Sequence, residues 1–191
     1  MKHVEPNRLR NVVLAGHAGS GKTTLAEHML HAAGAISRLG RVDDGTASLD
    51  FEPEEQKRHL SLDLAVASLD RGEHRITLVD TPGYADFVGE VIQGFAAADA
   101  ALISMDASGS VEAGTEKAVR FGRQTGLPAL FVLTRCEREN ADPGAALDRL
   151  RDSFGQKIAP LQVAIGAADS LRGYVDLVHR VAYTWQGESV S

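Results

Sequence analysis

The stretch Gly16-His17-Ala18-Gly19-Ser20-Gly21-Lys22-Thr23-Thr24 sets a glycine four residues ahead of Gly-Lys-Thr. That spacing suits a loop that holds phosphate. Backbone N–H groups that converge on phosphate oxygens require a tight wrap, and side chains would obstruct it. Gly16, Gly19 and Gly21 remove those side chains and allow positive φ. A helix beginning near Gly21 would add free N–H groups and the positive end of its dipole. Lys22 can then reach the β- and γ-phosphates as a point charge, and the Thr23 hydroxyl can serve as a Mg²⁺ ligand. Candidate nucleotide-binding positions are therefore Gly16, His17, Ala18, Gly19, Ser20, Gly21, Lys22, Thr23 and Thr24. An ordinary glycine-rich turn needs no such set of fixed positions.

A second constellation is Leu78-Val79-Asp80-Thr81-Pro82-Gly83, an apolar run that ends in a carboxylate and a Pro-Gly turn. Asp80 can hold Mg²⁺ directly or through water, and Gly83 lets a backbone N–H approach a γ-phosphate closely. Alone this is a common turn. Following a phosphate loop at this distance, it has the pattern of a nucleotide switch.

These residues need strands and helices to aim them. Residues 11–15 are apolar and read as a buried strand; Leu25, Ala26, Met29, Leu30 and Ala33 then follow helical spacing. Residues 34–58 carry weak periodicity and many turn signals, an unusually long connection of the kind that is often functional. Such a loop could order only when a γ-phosphate is present. Residues 61–69 alternate, with Leu60, Leu62, Leu64 and Val66 expected on one buried face. Asp70-Arg71-Gly72 suits a hairpin, and residues 75–80 the returning strand. Residues 86–98 predict a helix with Phe87, Val88, Val91, Ile92 and Phe95 in its apolar stripe. A strand at 100–105, a helix at 111–126, a strand at 128–133 and a helix at 145–154 complete the alternation. Asp142-Pro143 provides a cap and a first-turn proline for the last of these helices. The pattern predicts an α/β fold, a three-layer sandwich with a mainly parallel sheet covered on both faces.

Bulk properties narrow the class. The 191 residues suffice for one domain with a substantial core, and a net charge of −6 argues against general nucleic-acid binding, so no direct DNA contact is expected. The single cysteine, Cys136, rules out a disulfide framework, fits a reducing compartment and is expected to pack as a small apolar residue. No run approaches the ~18 apolar residues of a membrane span, and residues 1–10 lack the apolar centre of a signal peptide. A cytoplasmic, monomeric protein is expected. His28 and His31 stand at i, i+3 with Glu27 alongside; a solvated helix face is the simpler reading than a metal site. Asp43-Asp44 reads as a turn before Gly45.

The chain resembles the translational GTPases, most nearly elongation factor G and its paralogues. The likeness runs through Arg10-Asn11-Val12, the phosphate loop, Val42-Asp43-Asp44-Gly45, and Asp80-Thr81-Pro82-Gly83-Tyr84-Ala85-Asp86-Phe87. It continues through Asp106-Ala107, Arg138-Glu139-Asn140-Ala141-Asp142, Ile165-Gly166-Ala167 and Gly173-Tyr174-Val175-Asp176-Leu177-Val178. The resemblance implies GTP and GDP as ligands, Mg²⁺ as cofactor, GTP hydrolysis, and the ribosome as partner through domains outside this stretch. It implies a GTPase domain over 1–158 and the start of an inserted subdomain over 159–191. The family's Ser-Ala loop and the closing strand and helix are not reached before Ser191, so a fragment or a truncated product is expected.

Four departures from the family's pattern bear on chemistry. Gly19 stands where a loop aspartate is usual, which weakens the case for a monovalent cation. Ser61 aligns with the threonine of the first switch and keeps a hydroxyl for Mg²⁺, although it could simply open a strand. Tyr84 replaces the histidine that positions the attacking water; a phenol keeps its proton at neutral pH where an imidazole titrates. With Lys22 and Gly83 it forms the candidate catalytic set, and slow hydrolysis is expected. Finally, Thr134, Arg135 and Glu137 occupy the positions of the Asn-Lys-x-Asp motif that reads guanine. Arg135 could stack on the base, and Glu137 keeps the charge with one methylene too many, so weaker guanine selectivity is expected. A nucleotide-holding module with little hydrolysis is the second reading of the chain. A kinase or other ATPase is the third, and the placement of Asp80 to Gly83 argues against it.

Overall fold

The structure, a computed structural model, describes residues 4–186 and 189–190. The last few positions of the expected inserted piece, Gly187, Glu188 and Ser191, lie outside the described residues. Two compact units emerge: residues 1–104 with 113–132, and residues 105–112 with 133–191.

The first unit is built on a sheet in which β1 (Leu9–Gly16) lies between β3 (His74–Asp80) and β4 (Ala100–Asp106), parallel to both. β2 (Ala65–Arg71) flanks β3 antiparallel, and β5 (Ala129–Thr134) completes the order β2-β3-β1-β4-β5. The hairpin between β2 and β3 turns at Gly72, whose φ of 59° few other residues adopt readily. Register aligns Leu14 with Asp80 and Gly16 with Ser104, so the carboxyl ends of β1, β3 and β4 share one edge. In parallel sheets that edge is where ligands bind.

Alternation along β1 sends successive side chains to opposite faces. Leu14 joins Leu30 and Ala26 of α1 (Lys22–Ala32), with Leu49, Ala65, Leu69 and Leu78, in one apolar cluster. Across the sheet lie α3 (Val88–Ala97) and α4 (Ala113–Thr125), joined by a tilted Phe95–Phe121 pair with ring centroids 5.9 Å apart. Gly94 allows α3 to press on the sheet: a Cβ there would lie 2.7 Å from Thr81 Cγ2.

The expected parallel α/β architecture is present. Two local expectations are corrected. Residues 61–64 are not strand, and Val66 faces solvent while Ala65 and Leu69 face inward, the reverse of the expected face. The reason is a carboxylate: Glu55, on the short helix α2 (Pro53–Arg58), accepts the N–H groups of Leu62 at 2.8 Å and Asp63 at 3.2 Å. Those donors are not available to a ladder, so the strand begins at Ala65. In α3 only Phe95 of the expected stripe is fully buried, and Ile92 is half exposed.

The second unit contains α5 (Pro143–Phe154), capped as expected by Asp142 Oδ1 accepting from Ala145 N at 3.0 Å. It also contains a four-stranded sheet in the order β6 (Gln162–Ile165), β7 (Gly173–Asp176), β8 (Val181–Gln186) and β9 (Ser189–Val190). Its strands run antiparallel, and Tyr174 stacks on Tyr183 with centroids 5.2 Å apart. Among the described residues no helix is long and apolar enough to cross a membrane.

The register of β2 has a direct check. Leu78→Ala should cost about 2–5 kcal/mol, whereas Val66→Ala, at a mostly exposed strand position, should change stability by less than about 0.5 kcal/mol. Equal losses in denaturant titrations of the two variants would place Val66 in the core and refute the register.

Candidate functional site

At the ligand edge β1 ends in Gly16 with φ 141°, and the chain wraps through Gly19 (φ 72°) and Gly21 (φ 84°) into α1. A Cβ on Gly16 would lie 2.5 Å from Ser104 O, so glycine is required there by space as well as by backbone angle. Ser20 Oγ meets Ser104 Oγ at 2.6 Å and ties the loop to β4. Lys22 bends back over the loop and donates to His17 O at 2.9 Å. Gly114 of α4 packs against His17, so that position supports the loop from behind.

Two switch-like segments meet this loop. Thr23 Oγ1 donates to Asp80 Oδ2 at 2.6 Å and lies 3.2 Å from Ser61 Oγ, which in turn donates to Asp50 Oδ1 at 2.7 Å. Thr23, Ser61 and Asp80, the three expected metal-ligating positions, are thus brought together. Gly83 closes the same corner: a Cβ there would fall 2.5 Å from Ala18 N and 2.6 Å from Lys22 Nζ. Thr81 is fully buried and locks the segment to β1, donating its hydroxyl to Leu14 O at 2.7 Å.

Burial displaces the charges of this corner from their ordinary values. Burial pushes the Asp80 carboxyl up to about 6, opposed by the Lys22 charge and the Thr23 hydrogen bond, with Asp50 pushing the same way as burial. Burial lowers the Lys22 ammonium, opposed by Asp80 and Asp50. Asp80 Oδ1 is buried without a hydrogen-bond partner. A buried acceptor left bare is costly unless something supplies a donor or a cation. Two hydroxyls and a carboxylate form the hard oxygen set that suits Mg²⁺, so the residues fit that ion.

Tyr84, half exposed, lies on the wall of an apolar cavity of about 240 Å³. His17, Ala18, Val88, Val91 and Phe121 share that wall.

The positions of the base-reading motif belong to the second unit. Thr134, at the end of β5, donates Oγ1 to Met105 O at 3.2 Å, and its carbonyl accepts from Ala107 N at 2.9 Å. Arg135 adopts φ 56° and donates from Nη1 to Asp106 Oδ2 at 3.1 Å, while Glu137 points to solvent. Burial acts against it, yet the Ser108 hydroxyl and amide and the Arg135 guanidinium hold the Asp106 carboxyl below the usual carboxylate range. The guanidinium expected to stack on a base is therefore engaged by a carboxylate. Cys136 is half buried and a free thiol.

Sequence reasoning missed the residues that hold the long loop. Glu27 is fully buried rather than part of a solvated face, while His28 and His31 are exposed. Its signal would have been a charge standing beside Ala26 and Leu30 on the helix's inward stripe. Asp50 and Glu55 are likewise buried. The connection of residues 34–58 is folded, with Ala47 and Leu49 in the core.

Comparison with known proteins bears on this corner. The sequence profile of the elongation factor Tu GTP binding domain matches residues 7–186. An elongation factor G-like protein of Mycobacterium tuberculosis is 41% identical over 180 residues, covering 94% of this chain and 24% of the relative. The mitochondrial ribosome-releasing factor 2 of Danio rerio is 33% identical over 185 residues, covering 97% and 24%. A crystal structure of a protein from Thermus thermophilus superposes with TM-score 0.89 at 39% identity, covering 95% of this chain and 27% of that one. The chain spans about a quarter of the length of the curated relatives it matches.

The lowered Asp106 carboxyl has a pH consequence. A depressed folded-state pKa contributes stability that is present above the unfolded value, ~3.9, and is lost as pH falls through the folded value. Side-chain carbon shifts of Asp106 should therefore titrate below that of an ordinary aspartate, and Arg135→Ala should move the midpoint upward. A midpoint at the ordinary value in both proteins would dissolve the Asp106–Arg135 pairing.

Proposed function

This chain belongs to the elongation factor Tu GTP-binding domain family, and from that premise we propose that it binds GTP and GDP with Mg²⁺ and hydrolyses GTP slowly, as the switch domain of an elongation factor G-like translation factor. The observation that supports the reading most is the corner where Lys22, Thr23, Ser61 and Asp80 meet, with a bare buried carboxylate oxygen on Asp80.

Each residue has a task. The backbone N–H groups of the loop from Gly16 to Thr24 cradle the phosphates, and their fixed geometry avoids reorganisation during reaction. Lys22 places its ammonium against the β- and γ-phosphates. Thr23, Ser61 and Asp80 would hold Mg²⁺, which when bound neutralises charge on the β- and γ-oxygens. The Gly83 N–H approaches the γ-phosphate because no side chain stands between it and the loop. Tyr84 orients water through its hydroxyl, a weaker device than a base. Thr134, Arg135 and Glu137 would be the base-reading positions, as the resemblance implies, with selectivity for guanine weakened. Residues 159–191 begin an inserted subdomain. The ribosome is the proposed partner, in keeping with the resemblance and with the name of the Danio rerio relative, and a cytoplasmic monomer the proposed form.

Binding is tested by titrating fluorescent GTP and GDP with Mg²⁺ present. Lys22→Ala removes a charge-assisted contact worth ~1.5–3 kcal/mol, so affinity should fall roughly 10- to 100-fold while the circular dichroism stays unchanged. No binding by the unaltered chain, or no change in the variant, would overturn the reading.

Hydrolysis is tested by phosphate release in single turnover. Tyr84→Phe should slow an already slow rate by about fivefold, the value of one lost hydrogen bond, with GTP affinity held within about twofold. A rate that is untouched would remove Tyr84 from the mechanism.

A further inference from the structure

The long connection after α1 is held by one side chain. Glu27 of α1 is fully buried, and four donors converge on its carboxylate. Gly40 N donates to Oε2 at 3.0 Å; Ser48 N at 2.7 Å, Leu49 N at 3.3 Å and the Ser48 hydroxyl donate to Oε1. Space is tight: a Cβ on Gly40 would lie 2.7 Å from Glu27 Oε2 and closer still to Thr46 O. A buried carboxylate with this many donors is satisfied, and removing it would strand three backbone N–H groups in a segment that has no ladder of its own.

We propose that Glu27 is the positioning residue that docks residues 40–49 on the phosphate-binding helix and, through them, sets the Ser61 hydroxyl beside Thr23. The path is short. Leu49, fastened by Glu27, is followed by Asp50, whose Oδ1 accepts from Ser61 Oγ; Ser61 Oγ lies 3.2 Å from Thr23 Oγ1. Gln56 Nε2 donates to Asp50 O at 3.0 Å and His59 Nδ1 bonds Val42 O at 2.9 Å, which fold the rest of the segment onto the same frame. All four donors on Glu27 come from the loop itself. Glu27 acts on whichever ligand state needs Ser61 in place.

This rests on the proposed GTP-binding reading, so the test has two arms. Amide hydrogen exchange is measured on the full chain and on Glu27→Gln. The amide side chain keeps the volume but turns one acceptor into a donor that faces N–H groups. Protection of Gly40, Ser48 and Leu49 should be lost in the variant while that of β1 and β3 is retained. In parallel, affinities are measured for GDP and for the imido analogue of GTP. The analogue should bind about tenfold more weakly to the variant and GDP within about twofold. A segment of this kind is held by γ-phosphate–Mg²⁺ contacts and released in the diphosphate state, so that Ser61 would join the ion only with the triphosphate. Ser48→Ala, a milder change, should speed exchange at Ser48 and Leu49 alone, and keeps the test open should Glu27→Gln fail to fold. Unchanged protection in either soluble variant would overturn the clamp, and equal weakening of both nucleotides would overturn the positioning role. If the unaltered chain bound neither nucleotide, the function proposed above would fall while the exchange arm still decided the clamp.

Discussion

Lys22 and Asp80 are buried at the same corner, and neither is comfortable there alone. Removing an ammonium or a carboxylate from water costs several kcal/mol per ion unless a partner and hydrogen bonds compensate. Each side chain here opposes the other's desolvation, and Asp50 adds a second negative charge near the lysine. The balance is incomplete, because Asp80 keeps one oxygen bare and its carboxyl is displaced upward to about 6. A carboxyl displaced by burial beside a lysine is the kind of group that functional sites use. The glycines, the Thr81 lock on β1 and the Ser20–Ser104 contact all hold these two residues at the carboxyl edge of the sheet.

The same structural device recurs away from that corner. Irregular backbone has N–H groups that no ladder satisfies, and a carboxylate can accept several at once. Glu27 does this for residues 40–49, Glu55 for residues 52 and 62–63, and Asp106 for Ser108 in the second unit. These carboxylates are turned inward, onto the backbone of the loops they hold. Among the described residues no group of three or more acidic, histidine or cysteine side chains could hold a metal ion by itself. The proposed ion site instead combines one carboxylate with two hydroxyls.

What was legible in the sequence follows from this division. Gly16, Gly19, Gly21 and Gly83 could be read because their roles depend on local geometry, a positive φ or a close approach, which spacing reveals. The strands of the sheet could be read because burial on both faces leaves continuous apolar runs. Glu27 could not, since its partners lie 13 to 22 residues away in a segment without periodicity. Ser61 was drawn into a strand by the alternation of leucines around it; Glu55 had already claimed the N–H groups a ladder would need. The Asp106–Arg135 pair spans 29 residues and is invisible to any window.

In the proposed function, Tyr84 would suit a wall and still weaken a reaction. Its ring borders an apolar cavity whose other walls are Val88, Val91 and Phe121, so the six-membered ring adds apolar contact area where a smaller, more polar imidazole would add less. The residue is half exposed. A phenol in that place can donate to or accept from water, but it cannot take a proton at neutral pH as an imidazole does. Phosphoryl transfer depends mainly on positioning and on charge stabilisation, and in the proposed function both would come from Lys22, Gly83 and the oxygen set of Thr23, Ser61 and Asp80. On the proposed reading, the ring at position 84 leaves the residues that would grip phosphate untouched and weakens only the part that would prepare water, which is the physical basis for expecting retained binding joined to slow turnover.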